Sequence, residues 1–366
     1  MVLLLLTLGG CGNDDSEIEG AEGLTAYLKE EMEDQNIPAL SALVFRENEV
    51  LYEEYFGHAN LQKSQVLEQD HLFLLASVSK VVTATALLQL YEQDKFELDD
   101  KINDYLSFKV KVPGAEKDIT FRMLLTHSSG IADGPALDDQ YYYGEDSPVA
   151  LDFFLENYLV PGGEFYSADD NFHDFEPGDD VEYSNVGNAL IGVLVEQIAK
   201  TAFDSYCQEH IFDPLEMKHT SWRLENITST IVQPYNYSRG EHEAIQHYTF
   251  TDYPNGGLRS TSNDLFRFFR AFVLDGYSGG YKLLDGKTIE EMTTLQLPDL
   301  AEDTGLHLFI IDEENKLWGH DGGEQGVATI AAFNLTSKIG VILLCNEGEA
   351  NLDAALVEAY LVGEKL

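Results

Sequence analysis

Ser77-Val78-Ser79-Lys80 sets a hydroxyl and an amine three positions apart at the head of a strongly helical stretch, 77–91. Residues three apart on a helix share a face, so the amine can reach the hydroxyl. With Ser77 in the first turn, its own N–H lacks an intrahelical partner and can help hold an oxyanion, and the helix dipole favours negative charge there. The chemistry this suggests is attack by the Ser77 oxygen on an acyl carbon, with Lys80 as the base. Taken alone the pattern is weak, because a solvent-facing lysine on an N-capped helix has the same spelling.

Two further segments supply what such a reaction needs. Phe175-Glu176-Pro177-Gly178 is followed by Tyr183-Ser184-Asn185, which offers a phenol and an amide. Trp318-Gly319-His320-Asp321-Gly322-Gly323 offers an imidazole at a strand end, then glycines that let a ligand approach the backbone. Each also has a plainer reading. Tyr183-Ser184-Asn185 precedes the apolar run 186–198 and reads equally as a helix N-cap with a staple. His320 reads equally as a structural histidine at a strand end. His127 reads as a residue that fixes a loop.

Other motifs do not carry chemistry. Gly276-Tyr277-Ser278-Gly279-Gly280 fits G-x-S-x-G, but a nucleophile elbow needs a strand before it and a helix after, whereas the amphipathic helix 265–274 precedes it. His242 and His247 are five apart, off a common helical face, so the segment is not a zincin site. The acid-rich stretch 169–180 lacks the glycine that an EF-hand loop carries at its sixth position.

These residues must be positioned by a body whose periodicity is legible. Segment 24–32 reads as a helix, and 41–45 and 50–56 read as strands joined by a turn at 47–49. From 113 to 255 the pattern is helices and long loops. Strand-like runs follow at 306–311, 316–319, 327–333 and 339–344, then a closing helix near 352–360. The expected fold is therefore α/β (α+β), with an antiparallel sheet flanked by helices. Residues 21–112 and 256–366 would form it from both chain ends, around a mostly helical insertion, 113–255.

Composition narrows the partners. The chain has 366 residues with 22 Lys+Arg and 65 Asp+Glu, a formal net charge of −43. Phosphate backbones need lysine and arginine to displace counterions, so nucleic acid is excluded as a partner, and polybasic docking to an anionic bilayer is disfavoured. At 44% hydrophobic residues the chain is a globular protein. Residues 2–8 are an apolar run too short to span a bilayer, as in a signal peptide (1–10). Leu8-Gly9-Gly10-Cys11 resembles a bacterial lipobox, so 11–20 is expected to be a lipidated Cys11 and an acidic tether that attaches the protein to a membrane of the cell envelope. Cys207 and Cys345 then remain, and both read as buried free thiols.

The ordered set S-x-x-K, Y-x-N, H-x-G, with Leu124-Leu125-Thr126-His127-Ser128-Ser129-Gly130 and Gly256-Gly257-Leu258-Arg259-Ser260-Thr261 in between, resembles the serine β-lactamase and penicillin-binding protein family over roughly residues 20–360. It is most similar to the branch with class C β-lactamases, D-Ala-D-Ala carboxypeptidases, D-aminopeptidases and β-lactamase-like esterases. The resemblance implies a β-lactamase/transpeptidase-like fold and an acyl-enzyme mechanism without metal or organic cofactor. It implies Ser77 as nucleophile, Lys80 as its base, Tyr183 in the proton shuttle and His320 where many relatives carry lysine. It also implies Asn185, Asp321 and Gly322 against the substrate, and the N–H groups of Ser77 and Gly323 as the oxyanion hole.

Two usual attractions for a substrate carboxylate are absent, since His320 replaces a lysine and Asp321 stands where threonine is common. Residues 123–199 hold sixteen Asp/Glu and no Lys or Arg, which predicts one negative wall of the cleft. The aromatics 141–143, Phe153, Phe154, Phe165 and Phe172 could line an acyl pocket, with core packing as their plainer role. The expected substrates are neutral or cationic esters, amides or D-amino-acid peptides, with weak β-lactamase activity at most, handled by a monomer. The alternatives are a D,D-peptidase of cell-wall metabolism and a non-catalytic envelope binding protein of the same fold.

Overall fold

The computed structural model describes residues 18–366; the apolar run and Cys11 lie outside them. The architecture centres on a seven-stranded antiparallel sheet. Its spatial order is Phe309–Asp312, Leu317–Glu324, Val327–Phe333, Ile339–Cys345, Ala39–Arg46, Glu49–Asn60 and Gln65–Val66. Both chain ends build it, because Ala39–Arg46 pairs with Ile339–Cys345, with Leu43 opposite Ile342. The central strands, VATIAAF and IGVILLC, are buried at every position and accordingly read as continuous apolar runs.

Helices Gly20–Asp34 and Asp353–Lys365 close one face. The first buries Leu24, Leu28 and Met32, a stripe with helical spacing. The other face receives helix Ser262–Val273, where Phe266 meets Phe45 and Phe272 meets Phe333 at centroid distances of 5.1 and 5.2 Å. Thr261 caps that helix by accepting the Asp264 N–H. The same apolar cluster continues without a break into the helical region, through helices Ser79–Tyr91 and Asn185–Ala199. Ser79 to Leu90 are all buried, including Lys80, which is why this helix is apolar all round.

Three local differences from the sequence reading have physical causes. The helix begins at Ser79, and Ser77 sits just before it in a 3₁₀ turn, Ala76–Val78. The run 306–311 is a strand only from Phe309. Residues 305–308 make a tight loop in which Leu306 and Leu308 are core plugs, and the His307 N–H donates to the Leu125 carbonyl. The strand expected at 316–319 runs on to Glu324 through its glycines. A side chain at Gly319 would lie 2.2 Å from the Ala331 oxygen, so glycine there permits close strand packing and does not end the strand.

Within 113–255, two short antiparallel pairs accompany the helices, Tyr141–Tyr143 with Tyr248–Phe250 and Tyr235–Ser238 with Glu241–Ala244. Ser278 lies in a hairpin between Tyr277–Ser278 and Tyr281–Lys282, donating to the Arg267 carbonyl and accepting from Arg270 Nε. Cys207 and Cys345 are buried and unpaired. Among the described residues, no helix is long and apolar enough to cross a membrane.

Candidate active site

Lys80 is fully buried, and its Nζ makes three hydrogen bonds: to Ser77 Oγ at 3.0 Å, Asn185 Oδ1 at 2.7 Å and the Asn255 carbonyl at 2.7 Å. The last two partners accept only. A neutral amine has two N–H bonds and one lone pair, so these acceptors take the hydrogens and leave the lone pair aimed at the Ser77 hydroxyl. Burial supplies the neutral form, lowering the Lys80 pKa to about 7, against nearby Asp133, Asp252, Glu324 and Asp321, which pull it upward. Ser77 follows Ala76, a non-glycine residue at φ +46, so the backbone is strained at the turn that presents the Ser77 hydroxyl.

The Tyr183 ring is 42% exposed toward the cleft, yet its hydroxyl is desolvated and contacts Ser77. Desolvation raises the phenol's pKa, so Tyr183 is protonated at neutral pH and can donate. Lys80 Nζ lies 4.9 Å from its ring centroid. Behind it His127 stacks at 4.4 Å, accepts the Ser184 N–H on Nδ1 at 3.2 Å, and takes the Glu182 N–H on its own carbonyl. His127 thus fixes the loop that carries Tyr183.

Tyr183-Ser184-Asn185 both caps a helix and reaches Lys80. Ser184 is the N-cap of helix Asn185–Ala199, its Oγ accepting the Gly187 N–H at 2.8 Å. The same cap delivers Asn185 to Lys80. Asp133 reinforces it by accepting the Asn185 and Val186 N–H groups at 2.9 and 3.0 Å.

His320 is 1% exposed, and its Nδ1 lies 2.6 Å from the Asp321 carbonyl. A carbonyl only accepts, so Nδ1 carries the proton and Nε2 is a bare lone pair, without a partner in the protein. Burial depresses the imidazole pKa to about 3, so the ring is neutral. It touches Tyr183 edge-on at 6.2 Å and makes no hydrogen bond to Ser77, Lys80 or Tyr183.

Gly322 packs against the nucleophile turn, where a Cβ would lie 2.6 Å from the Leu75 oxygen and 2.9 Å from the Ser77 nitrogen. Gly323 faces open space. Ser77, Tyr183, His320, Asp321, Gly322 and Gly323 all line one cavity of about 540 Å³.

The rest of that cavity differs from the sequence expectation. Its acids are Asp303, Asp321 and Asp353, none of them from 123–199, and its apolar lining is Phe309, Ile310 and Ile311. Of that acidic stretch, Asp133 sits at the floor beside Lys80, whereas Glu176 accepts the Glu116 and Lys117 N–H groups at the surface. Phe154 and Phe172 are core residues, and Tyr141 donates to Glu324.

Sequence reasoning also missed Asn255, Asp252, Asp133 and His307. Asn255 acts through a backbone carbonyl, which no side-chain motif announces, and its side chain is held by Asp252 at 2.6 Å. One group of potential metal ligands, Glu68, Asp70 and His71, lies outside the cavity, and there His71 Nδ1 already accepts the Glu68 N–H.

The sequence profile of the beta-lactamase family matches residues 24–362, and the chain belongs to that family. It is 21% identical to Protein flp of Staphylococcus aureus strain MW2 over 90% of its own length and 63% of that protein's, so it spans under two thirds of this relative. Among solved structures it resembles the octameric penicillin-binding protein homologue from Pyrococcus abyssi, with TM-score 0.74, 22% identity, and 93% and 77% of the two chains covered. It also resembles EstCE1, described as a hydrolase with promiscuous acyltransferase activity, with TM-score 0.72, 18% identity, and 93% and 97% covered. The fold is thus shared with a penicillin-binding protein homologue and with a hydrolase that has acyltransferase activity.

Proposed function

We propose that the protein is a serine hydrolase working through an acyl-enzyme on esters, amides or D-amino-acid peptides whose recognised groups are neutral or cationic, with weak β-lactamase activity at most. The observation that carries this reading is the buried Lys80 amine, whose two pure acceptors leave its lone pair for Ser77.

Ser77 Oγ attacks the acyl carbon as its proton passes to Lys80 Nζ. The new oxyanion is met by the N–H groups of Ser77 and Gly323, each such donor being worth about 3 kcal/mol. The bond to the leaving group breaks as Tyr183 gives that group its phenolic proton, and Lys80 returns the Ser77 proton to Tyr183. Water then attacks the ester carbon, Tyr183 taking the water proton as it passes its own to Lys80, and Lys80 gives a proton to the Ser77 oxygen as the bond from that oxygen to the acyl carbon breaks. Asn185 has its amide oxygen committed to Lys80, which leaves its NH₂ for the substrate. All these groups belong to one chain, and the lipobox-like Leu8–Cys11 supports anchoring in the bacterial envelope.

A fluorophosphonate probe tests the reading, with label expected on wild type and lost in Ser77→Ala. A panel of short-chain esters, D-aminoacyl amides and penicillins gives the substrate class. Penicillins turned over with higher kcat/KM than neutral esters would overturn the substrate reading, and efficient release of terminal D-alanine would point to the D,D-peptidase. Absence of both label and turnover would leave a binding protein.

A further inference from the structure

The cavity above Ser77 has three carboxylates in its lining and no lysine or arginine. Asp303, Asp321 and Asp353 come from three separate elements: the loop before Phe309–Asp312, the strand Leu317–Glu324, and the first turn of Asp353–Lys365. None of the three pairs with a lysine or arginine. Asp321, its side chain 72% exposed, has only the uncharged His320 ring within ion-pair range, at 3.6 Å. Lys80 lies beneath, its hydrogens already committed.

The His320 ring lining the same cavity is an independent observation. Its proton is fixed on Nδ1 by the Asp321 carbonyl, so the unpartnered, buried Nε2 is an acceptor lacking a donor. Leaving a buried acceptor unmet is unfavourable, and a ligand N–H would meet it. Phe309, whose ring stands edge-on to His320 at 5.2 Å, adds an aromatic surface of the kind that cations favour.

From this we infer that the substrate carries a protonated amine, which sits among Asp303, Asp321 and Asp353 with an N–H directed at His320 Nε2. The inference rests on the hydrolase reading and narrows it to amine-bearing esters or amides. A carboxylate in the same place would face three like charges and a lone pair.

Two matched substrate pairs test it, each exchanging a protonated nitrogen for carbon of the same shape. One puts the amine in the departing part, 2-(dimethylamino)ethyl thioacetate against 3-methylbutyl thioacetate. The other puts it in the acyl part, 4-nitrophenyl 4-(dimethylamino)butanoate against 4-nitrophenyl 5-methylhexanoate.

In at least one pair the amine member is expected to have roughly tenfold higher kcat/KM, the scale of one partly solvated ion pair. That ratio should fall toward one in Asp321→Asn and Asp303→Asn, and with rising NaCl. His320→Phe, which keeps a ring but removes the lone pair, should lower it as well. Equal kcat/KM within both pairs, with turnover still abolished by Ser77→Ala, would overturn the amine site while leaving the hydrolase standing. No turnover of any of the four and no fluorophosphonate label would overturn the hydrolase, and the amine preference with it.

Discussion

The floor and the rim of the cleft are built on opposite electrostatic terms. On the floor, Lys80, Asn185, Asn255, Asp252 and Asp133 are tied to one another by hydrogen bonds of 2.6 to 2.9 Å, and burial lowers the Lys80 pKa to about 7 while raising that of Asp252 to about 7. On the rim, Asp303, Asp321 and Asp353 stand without cationic partners around an open cavity. The difference separates two tasks. Buried, mutually satisfied groups fix a proton inventory and change little with solvent, whereas unpaired rim charges act on whatever enters and are screened by salt. On the proposed function, chemistry belongs to the floor and selection to the rim.

The largest expected effect breaks the floor. Lys80→Ala removes the base and leaves Asn185 Oδ1 and the Asn255 carbonyl unmet, so turnover of a 4-nitrophenyl ester should fall by on the order of 10⁴-fold, close to the loss in Ser77→Ala. The double variant should be no worse than either single one, because residues acting as a unit are not additive. A double variant lower by the product of the two losses would mean that Lys80 acts independently of Ser77.

Next comes a pair of adjacent glycines at the junction of floor and rim. Gly322→Ala puts a methyl 2.5 Å from Thr329 Oγ1 and 2.6 Å from the Leu75 carbonyl, both fixed, so the strand must move off the nucleophile turn. Activity should drop by about 10² to 10³-fold, the scale of one oxyanion donor, and Tm should fall. Gly323→Ala meets nothing within 4 Å and should leave Tm unchanged. Thermal melts of the two variants decide this, and equal Tm losses would contradict the asymmetry.

How much of this was legible in the sequence follows the same division. Ser77, Lys80, Tyr183 and Asn185 could be picked out because S-x-x-K and Y-x-N occur in a recognisable order, although Ser77 lies in a 3₁₀ turn before the helix. The sheet could be read where its strands are buried on both faces, as at 327–333. Asn255 could not be read, since its contribution is a carbonyl placed by a 3₁₀ turn, Tyr253–Asn255, that the fold brings beneath Lys80. Asp303 and Asp353 could not either, because their proximity depends on packing between distant elements. Of the dense acids of 123–199, Asp133 reaches the floor beside Lys80 but none lines the cavity, since abundance along the chain does not say which way a loop faces.

A smaller effect concerns the pH profile. Catalysis needs neutral Lys80, whose pKa is lowered to about 7, so kcat/KM should be lost as pH falls through that value. The groups facing Lys80 are Asp133, Asp252, Glu324 and Asp321, which raise its pKa, together with the neutral His127, His307 and His320. Asp252→Asn keeps an acceptor for the Asn255 side chain but removes a carboxyl that favours the ammonium in its ionised fraction, its own pKa being raised by burial to about 7. The acidic limb should therefore move to lower pH, by up to roughly half a unit. A shift to higher pH, or none with activity retained, would remove Asp252 from the proton inventory.

The smallest expected effect is that of salt on the floor. Between 0.1 and 1 M NaCl the Debye length falls from about 10 to 3 Å, which should change the acidic limb by less than about 0.2 units because its charges are buried. The chain as a whole should respond in the opposite sense. With a net charge of −43 the folded state repels itself, and screening that repulsion should raise Tm by a few degrees over the same range. A limb that moves with salt as the melting temperature does would mean that solvent reaches Lys80, and the separation of floor from rim would fail where it matters most, at the base.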